Sequence, residues 1–330
     1  MTTVAVVIVT WNASGLLGSV LDALDTQTFQ PRRILVIDNG SADADRLEAV
    51  VRGRALCELV LSPENLGFAA ANNLAISRCS DVEYVALLNP DAFPAPGWLQ
   101  ALLRSASENP SCASFASRML DHGNACRLDG AGDVLSVSGK PARRGHGGAA
   151  AARFLVEEEV FAPCAAAALY RRSALMECGG FDENFFCYLE DVDLGFRLRL
   201  AGYGCRYVPD AIVRHIGSAL TGRRSDFAVY YGHRNIIFNY VKNMPSTLFW
   251  LLLPLHLLMN FAYLAAAMRS GQAAVMMRAK RDAVRALPAV WVQRKAIQRV
   301  RRASVRDVWI ALDKSLFPGA GFRVSRQSAR

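Results

Sequence analysis

The first hundred residues alternate between short apolar runs and stretches in which apolar residues recur every three or four positions. Residues 4–9, 34–37, 56–61 and 82–88 read as strands, and the continuous apolar runs within them, such as 34–37 and 84–88, predict burial. Residues 14–24, 43–51, 68–77 and 98–107 carry the helical period, the last opened by Pro96 and Gly97. Strand and helix in strict alternation predict an α/β protein with a doubly wound, nucleotide-type sheet. Between 110 and 225 the texture changes. Strand-like pieces at 112–117, 153–161, 166–170 and 205–208 are interrupted by a stretch at 139–152 rich in Gly, Ala and Arg, which reads as a mobile loop. Residues 226–330 read as helical, and no internal repeat is visible.

Polar residues collect where the predicted strands end. Thr10 and Asn12 close the first, Asp38 the second, Asn65, Gly67 and Asn73 follow the third, and Asn89 and Asp91 follow the fourth. Each station taken singly is ordinary turn chemistry. Four of them on successive strands of one open sheet converge on the crevice beyond the carboxyl ends, where such sheets bind ligands. A third acidic station, Glu190-Asp191, comes about a hundred residues later and suits a separate task. The sequence has no Gly-x-Gly-x-x-Gly after the first strand and no Gly-x4-Gly-Lys-Ser/Thr, which excludes a standard dinucleotide fold and a P-loop ATPase.

Charge divides the chain. The net +9 is concentrated after residue 268, where 15 Lys and Arg face three acids, while the preceding part is mildly acidic. Immediately before that basic tail, residues 248–268 contain no charged side chain, and this neighbour points to anionic lipid and away from nucleic acid. The stretch is long enough to cross a bilayer, but it contains Pro254, His256 and Asn260, all costly in lipid. A helix lying in the inner leaflet is therefore expected, with Arg278, Lys280, Arg281, Arg285, Arg294, Lys295, Arg299, Arg301 and Arg302 on headgroups; a buried core helix is the plain alternative. The eight cysteines form no Cys-x-x-Cys pair, and no basic, apolar leader opens the chain, so reduced thiols in a cytoplasmic protein are expected.

The block from Phe181 to Arg197, Phe-Asp-Glu-Asn-Phe-Phe-Cys-Tyr-Leu-Glu-Asp-Val-Asp-Leu-Gly-Phe-Arg, completes a pattern. With the Thr-x-Asn start, the Asn-Leu-Gly-Phe loop and Asn-Pro-Asp in place of Asp-x-Asp, the chain resembles the inverting GT-A fold glycosyltransferases of family 2. Within these it resembles the bacterial rhamnosyltransferase-like branch, over roughly residues 4 to 235. Two departures stand out: Cys164-Ala165-Ala166 where many members have a Gly-rich turn, and Gly195 where a cysteine is common.

The resemblance implies a GT-A domain over 1–225, with a nucleotide-sugar half (1–110) and an acceptor half (111–225). A helical, membrane-associated region would follow over 226–330. It implies a donor grip made by Thr10, Asn12, Asp38, Asn65, Gly67, Asn73, Asn89 and Asp91, with Asp38 accepting from the pyrimidine N3–H. Asp91 would hold Mg2+ or Mn2+, and a histidine at position 215 would complete the metal shell. Asp191 is the expected general base, with Glu190 in support, and Tyr188 and Asp193 would meet the acceptor. The pair Glu190-Asp191 also fits the N-terminus of a helix on electrostatic grounds alone. Arg223 and Arg224 could close over a diphosphate or form a solvated basic loop. The implied donor is dTDP-L-rhamnose and the implied acceptor a lipid-linked glycan, reached from the cytoplasmic face of a bacterial inner membrane. UDP-linked hexose, N-acetylhexosamine or galactofuranose donors, or nucleotide-sugar binding without catalysis, remain open alternatives.

Overall fold

The computed structural model describes residues 2–217 and 225–315; Arg223 and Arg224 lie outside them. The N-terminal half follows the predicted alternation closely: β1 (Val4–Thr10), α1 (Ser14–Asp25), β2 (Arg33–Asn39), α2 (Ala44–Val51), β3 (Cys57–Ser62), α3 (Gly67–Ser77), β4 (Tyr84–Leu88), the short β5 (Ala92–Pro94) and α4 (Trp98–Glu108). Strands β3, β2, β1 and β4 lie side by side and parallel. Successive residues of β1 enter opposite layers: Val4, Val6 and Ile8 pack with α1 and α4, while Ala5 and Val7 face α3. Both faces are thus covered, which is why β1, β2 and β4 read as unbroken apolar runs, whereas edge strand β3 is only partly buried.

Next come β6 (Cys112–Asp121), β7 (Leu128–Gly130), β8 (Asp133–Leu135), β9 (Pro141–Arg143), β10 (Glu158–Glu159), β11 (Ala167–Arg171), α5 (Arg172–Glu177), α6 (Glu190–Leu200) and β12 (Gly204–His215). They extend the sheet beyond β4 in the order β11, β6, β12, β10, with β11 antiparallel to both neighbours. Three expectations for this half need correction. Residues 153–161 are not one strand: a 3-10 turn at Ala152–Leu155 buries Phe154 under Arg144 and Arg153, and only Glu158–Glu159 pairs. Residues 205–208 and 211–213 belong to one twelve-residue strand, whose ladder with β6 slips between Val208 and Ile212. Pro209 sits in that slip, where a missing N–H does no harm. The stretch 139–152 is not a free loop, because β9 pairs with β8 and carries Arg143 back to the body of the protein.

The C-terminal helices are α7 (Asp226–Asn243), α8 (Ser246–Arg269), α9 (Ala273–Val300) and α10 (Val305–Ala311). They share one core with the preceding α/β part, in which Leu135, Phe161, Val192 and Phe196 pack with Phe238, Tyr240, Leu248, Ala283 and Val308. No packing boundary falls at residue 225. Helix α8 is long and apolar enough to cross a membrane. One of its faces is docked on the protein: His256 is buried, its Nδ1–H donates to the Ser138 carbonyl at 2.8 Å, and its ring stacks on Tyr240. Asn260 meets Lys280 of α9. Its opposite face presents Trp250, Leu251, Leu258 and Phe261, each 64–67% exposed.

Candidate active site

The carboxyl ends of β1, β2 and β4 open into a cavity of about 960 Å³, closed on its far side by the start of α6 and by the β7–β9 arm. Asp91 and Asp191 both line it, as do Thr10, Asn65, Gly67, Asn89, Tyr188, Glu190 and His215. Volume and mixed lining suit a ligand the size of a nucleotide sugar.

The three-residue strand β5 explains how His215 arrives beside Asp91. It runs antiparallel to the end of β12, with Ala92 opposite His215. The imidazole Nε2 lies 3.2 Å from Asp91 Oδ1, yet it is not aligned for a hydrogen bond and is buried without a partner. On its other side Nδ1 is 2.8 Å from Asp129 Oδ2. Burial alone would lower the His215 pKa, but Asp129 and Asp91 outweigh it and hold it above the ordinary value. Two oxygen or nitrogen ligands at right angles around a small divalent cation, each at about 2.1 Å, stand about 3 Å apart. The spacing of Asp91 and His215, the orphaned Nε2 and the carboxylate behind Nδ1 therefore fit such an ion.

Asp129 was not anticipated, nor were its companions. Its carboxylate accepts from Arg143 Nη1 at 2.7 Å, and His146 lies against it. Burial would raise this carboxyl; the hydrogen bonds from His146 and His215 and the charge of Arg143 hold it far below the usual range. Arg143 reaches this position over Gly130, where a side chain would collide with its Cγ, 2.6 Å from the ideal Cβ site. Its Nη2 donates to Cys164 Sγ at 2.8 Å.

Asp191 stands on the first turn of α6, where acids meet the helix dipole. Its Oδ1 accepts from Val192 N at 2.8 Å and its Oδ2 from Ala165 N at 3.0 Å. The turn Cys164–Ala166, a departure from the family pattern, thus supplies one of the donors that aim the carboxylate. Burial pushes Asp191 upward against these donors and Arg143. Glu190 is raised well above the ordinary value by burial and by its neighbour's charge. Gly195 lies directly against Ala162, which leaves no space for the cysteine common at that position.

The approach to Asp191 is strained. Phe186, Tyr188 and Leu189 all have φ between +62° and +68°, a conformation that costs each of them on the order of 1 kcal/mol or more. Helix α7 holds this segment: Asn235 Nδ2 lies 2.7–3.0 Å from the carbonyls of Phe185, Cys187 and Tyr188. Gly67, at φ +82°, lets the β3–α3 loop touch it; a side chain there would stand 2.6–2.8 Å from Phe186 atoms. Thr10 Oγ1 and Glu190 Oε2 also border the cavity as buried polar atoms without partners. Such atoms gathered in one space mark where a ligand supplies the missing hydrogen bonds.

Four expected contacts do not line this cavity. Asn73 is spent on the Phe181 backbone, donating to its carbonyl and accepting from its N–H at 2.8 Å each. Asn12 pins the Ser41–Ala42 turn. Asp38 is buried behind Asn39 and accepts from Ser41 N. Asp193 is fully buried, bonded to Arg197, Lys242 and Asn243, so the expected acceptor contact is corrected to an internal ion cluster. In their place the cavity wall holds Trp11 and Asn39, the latter bonded to Asn65 at 3.0 Å.

Comparison with known proteins agrees with this architecture. The family model described as glycosyl transferase family 2 matches residues 5–179, and that of glycosyl transferase family group 2 matches 157–279. An N-acetylglucosaminyl-diphospho-decaprenol L-rhamnosyltransferase of Mycobacterium tuberculosis is 32% identical over 238 residues, covering 66% of this chain and 77% of the relative. An O-antigen chain rhamnosyltransferase of Salmonella typhimurium is 28% identical over 212 residues, 64% of this chain and 66% of the relative. Among solved structures, GalNAc-T7 with UDP, GalNAc and Mn2+ superposes with a TM-score of 0.61 at 15% identity, over 74% of this chain and 49% of that one. A Pyrobaculum calidifontis mannosyltransferase with GDP-Man and Mn2+ gives 0.54 at 19% identity, over 93% and 87%. The fold is GT-A.

Proposed function

The chain belongs to glycosyl transferase family 2, and from that premise we propose an inverting, metal-dependent enzyme that moves L-rhamnose from dTDP-L-rhamnose to a lipid-linked glycan. The observation that carries this reading is one cavity lined by Asp91 and His215 together with Asp191. The donor assignment is supported by two relatives named rhamnosyltransferases, and the acceptor by one relative's N-acetylglucosaminyl-diphospho-decaprenol.

The nucleotide sits toward Thr10, Trp11, Asn39 and Asn65, with Gly67 allowing close backbone approach. Asp91 and His215 would hold Mg2+ or Mn2+, which would neutralise charge on the departing diphosphate. Asn89 and Pro90 offer no second acid, so Asp91 is the one carboxylate ligand of that segment. Asp191 takes the proton of the acceptor hydroxyl as its oxygen bonds to the sugar C1 and the bond from C1 to the diphosphate oxygen breaks. Attack from the face opposite the leaving group inverts the anomeric centre. Asp191 suits this work because burial raises its basicity while two backbone N–H groups fix its direction. Tyr188 borders the acceptor side.

The exposed apolar face of α8, with Arg278, Arg281, Arg285, Lys295 and Arg299 of α9, rests on the cytoplasmic leaflet of the inner membrane. Arg294, Lys280 and Arg302 take no part in it: they are bonded to Val241 and Met244, to His233, and to Ala201. The polar residues that make α8 a poor spanning helix lie on its docked face, which supports a helix in the interface.

The test presents dTDP-L-rhamnose, UDP-glucose and UDP-N-acetylglucosamine, each with Mn2+ and a synthetic N-acetylglucosaminyl diphospho-lipid. Free dTDP and an inverted linkage are expected from the first donor. Pyrophosphate release would mean nucleotidyl transfer, and retained configuration would rule out a single displacement. Metal binding should also follow pH. The His215 proton, held by the two carboxylates, must leave before Nε2 can ligate. The melting-temperature gain from Mn2+ is therefore expected to grow from pH 6 to pH 8, and a gain that shrinks or stays flat would remove His215 from the site.

A further inference from the structure

Asp133 is a buried acid that the reaction outlined above leaves unused. It begins β8, and its backbone is fixed by pairing with Ala162 and Phe161: its N–H donates to the Ala162 carbonyl at 2.8 Å and its carbonyl accepts from Phe161 N at 3.1 Å. The side chain lines the same cavity as Asp191. Its Oδ1 is buried without a hydrogen-bond partner, and the nearest cation, Arg143 Nε, stands 3.9 Å away. A carboxylate oxygen of Asp133, one of Asp191 and Cys164 Sγ all lie within 4.8 Å of one another.

That spacing has a simple meaning. One oxygen atom hydrogen-bonded to two carboxyl oxygens at about 2.7 Å, with a near-tetrahedral angle, holds them about 4.4 Å apart. A dication is a poor occupant, because Arg143 already bonds Cys164 and Asp129 and places a permanent positive charge in the cluster. We propose that Asp133 is a second acceptor-binding residue: the attacking hydroxyl sits between the two acids, donating its proton to Asp191 and accepting one from Asp133. The inference deepens the proposed function and rests on Asp191 being the base.

The protons are assigned by the local donors. Asp191 receives two backbone N–H groups, which favour its charged form, while Asp133 Oδ1 receives none. The groups facing Asp133 are Asp191 from α6, Arg143 from β9, Asp129 from β7, His146 from the following turn and Cys164. Burial first, then the charge of Asp191, push Asp133 up to about 7; with no donor on its Oδ1 and two N–H groups on Asp191, Asp133 is the member of the pair that holds the proton. During transfer the hydroxyl proton passes to Asp191 and the Asp133 proton stays in place.

The experiment compares full-length Asp133→Ala and Asp133→Asn with the wild type, using dTDP-L-rhamnose, Mn2+ and the N-acetylglucosaminyl diphospho-lipid. The alanine variant is expected to lose roughly 10- to 100-fold in kcat/KM for the acceptor, with unchanged donor KM and Mn2+ affinity. The asparagine variant, a permanently neutral donor, is expected to recover most of that loss. It should also shift or abolish the alkaline limb of the wild-type pH profile, which a merely structural residue would not do. A wild-type acceptor KM and pH profile in both variants overturns the inference, and so does a lowered Mn2+ stoichiometry, which would make Asp133 a metal ligand. Activity surviving in Asp191→Asn would instead sink the base assignment, so the two failures are distinguishable.

Discussion

Replacing Asp191 by Asn is expected to lower kcat roughly a hundred- to ten-thousand-fold while nucleotide-sugar binding survives. The carboxylate is the proposed base, held in a fixed direction by Ala165 and Val192, which direct one N–H at each of its oxygens. An amide cannot receive both donors, because its NH2 end would face one of them. That mismatch costs about 1–3 kcal/mol of stability, so melting must be followed alongside kinetics. Donor titration by calorimetry and single-turnover transfer together decide the matter. Turnover above a tenth of wild type would remove the base. If this carboxylate is the base, its ionisation is expected to set the acid limb in the wild type: burial raises its pKa, so kcat should fall as pH drops through a value above the ordinary carboxylate range.

The second large effect concerns folding. Asp193 is wholly buried and joins three partners: Arg197 Nε at 2.8 Å, Lys242 Nζ at 2.6 Å and Asn243 Nδ2 at 2.7 Å. Lys242 in turn holds Asp182 at 2.6 Å. Asp193→Ala leaves two buried cations short of a counter-charge, and removing one partner from a buried ion pair typically costs about 3–5 kcal/mol. A drop in melting temperature on the order of ten degrees is expected, visible by differential scanning calorimetry without any substrate. An unchanged melting temperature with a raised acceptor KM would return Asp193 to the acceptor site.

The parallel half of the sheet was legible because its strands are covered on both faces, so composition alone marks them. The crevice at their ends was legible for the same reason. Asp91, Glu190 and Asp191 stood out because acids are rare next to such runs and the Glu190-Asp191 block carries a family pattern, and all three line the one cavity. What failed was everything that depends on pairing between distant short pieces. Strand β5 is three residues long and has no periodicity, yet it sets His215 beside Asp91. The arm holding Asp129, Asp133, Arg143 and His146 is dominated by Gly and Ala, which reads as loop. The available signal was two acids bracketing Gly-Ala-Gly at 129–133, followed by the pair Arg143-Arg144. Asp193 was expected at the acceptor; Arg197, one turn on, could have been paired with it from the helical period, but its second cation, Lys242, lies on a distant helix and could not be inferred. Asn12 pins a turn, whereas Asn73 lies within α3 and is bonded to the distant Phe181 backbone, a contact that sequence spacing does not reveal.

The three carbonyls gathered by Asn235 carry a practical consequence for handling this enzyme. Trimming the polypeptide at residue 225 to make it soluble would remove the brace from the segment leading into Asp191 and strip the shared core of its other side. A detergent-free preparation is better sought by surface redesign, exchanging Trp250, Leu251, Leu258 and Phe261 for polar residues while the brace stays whole.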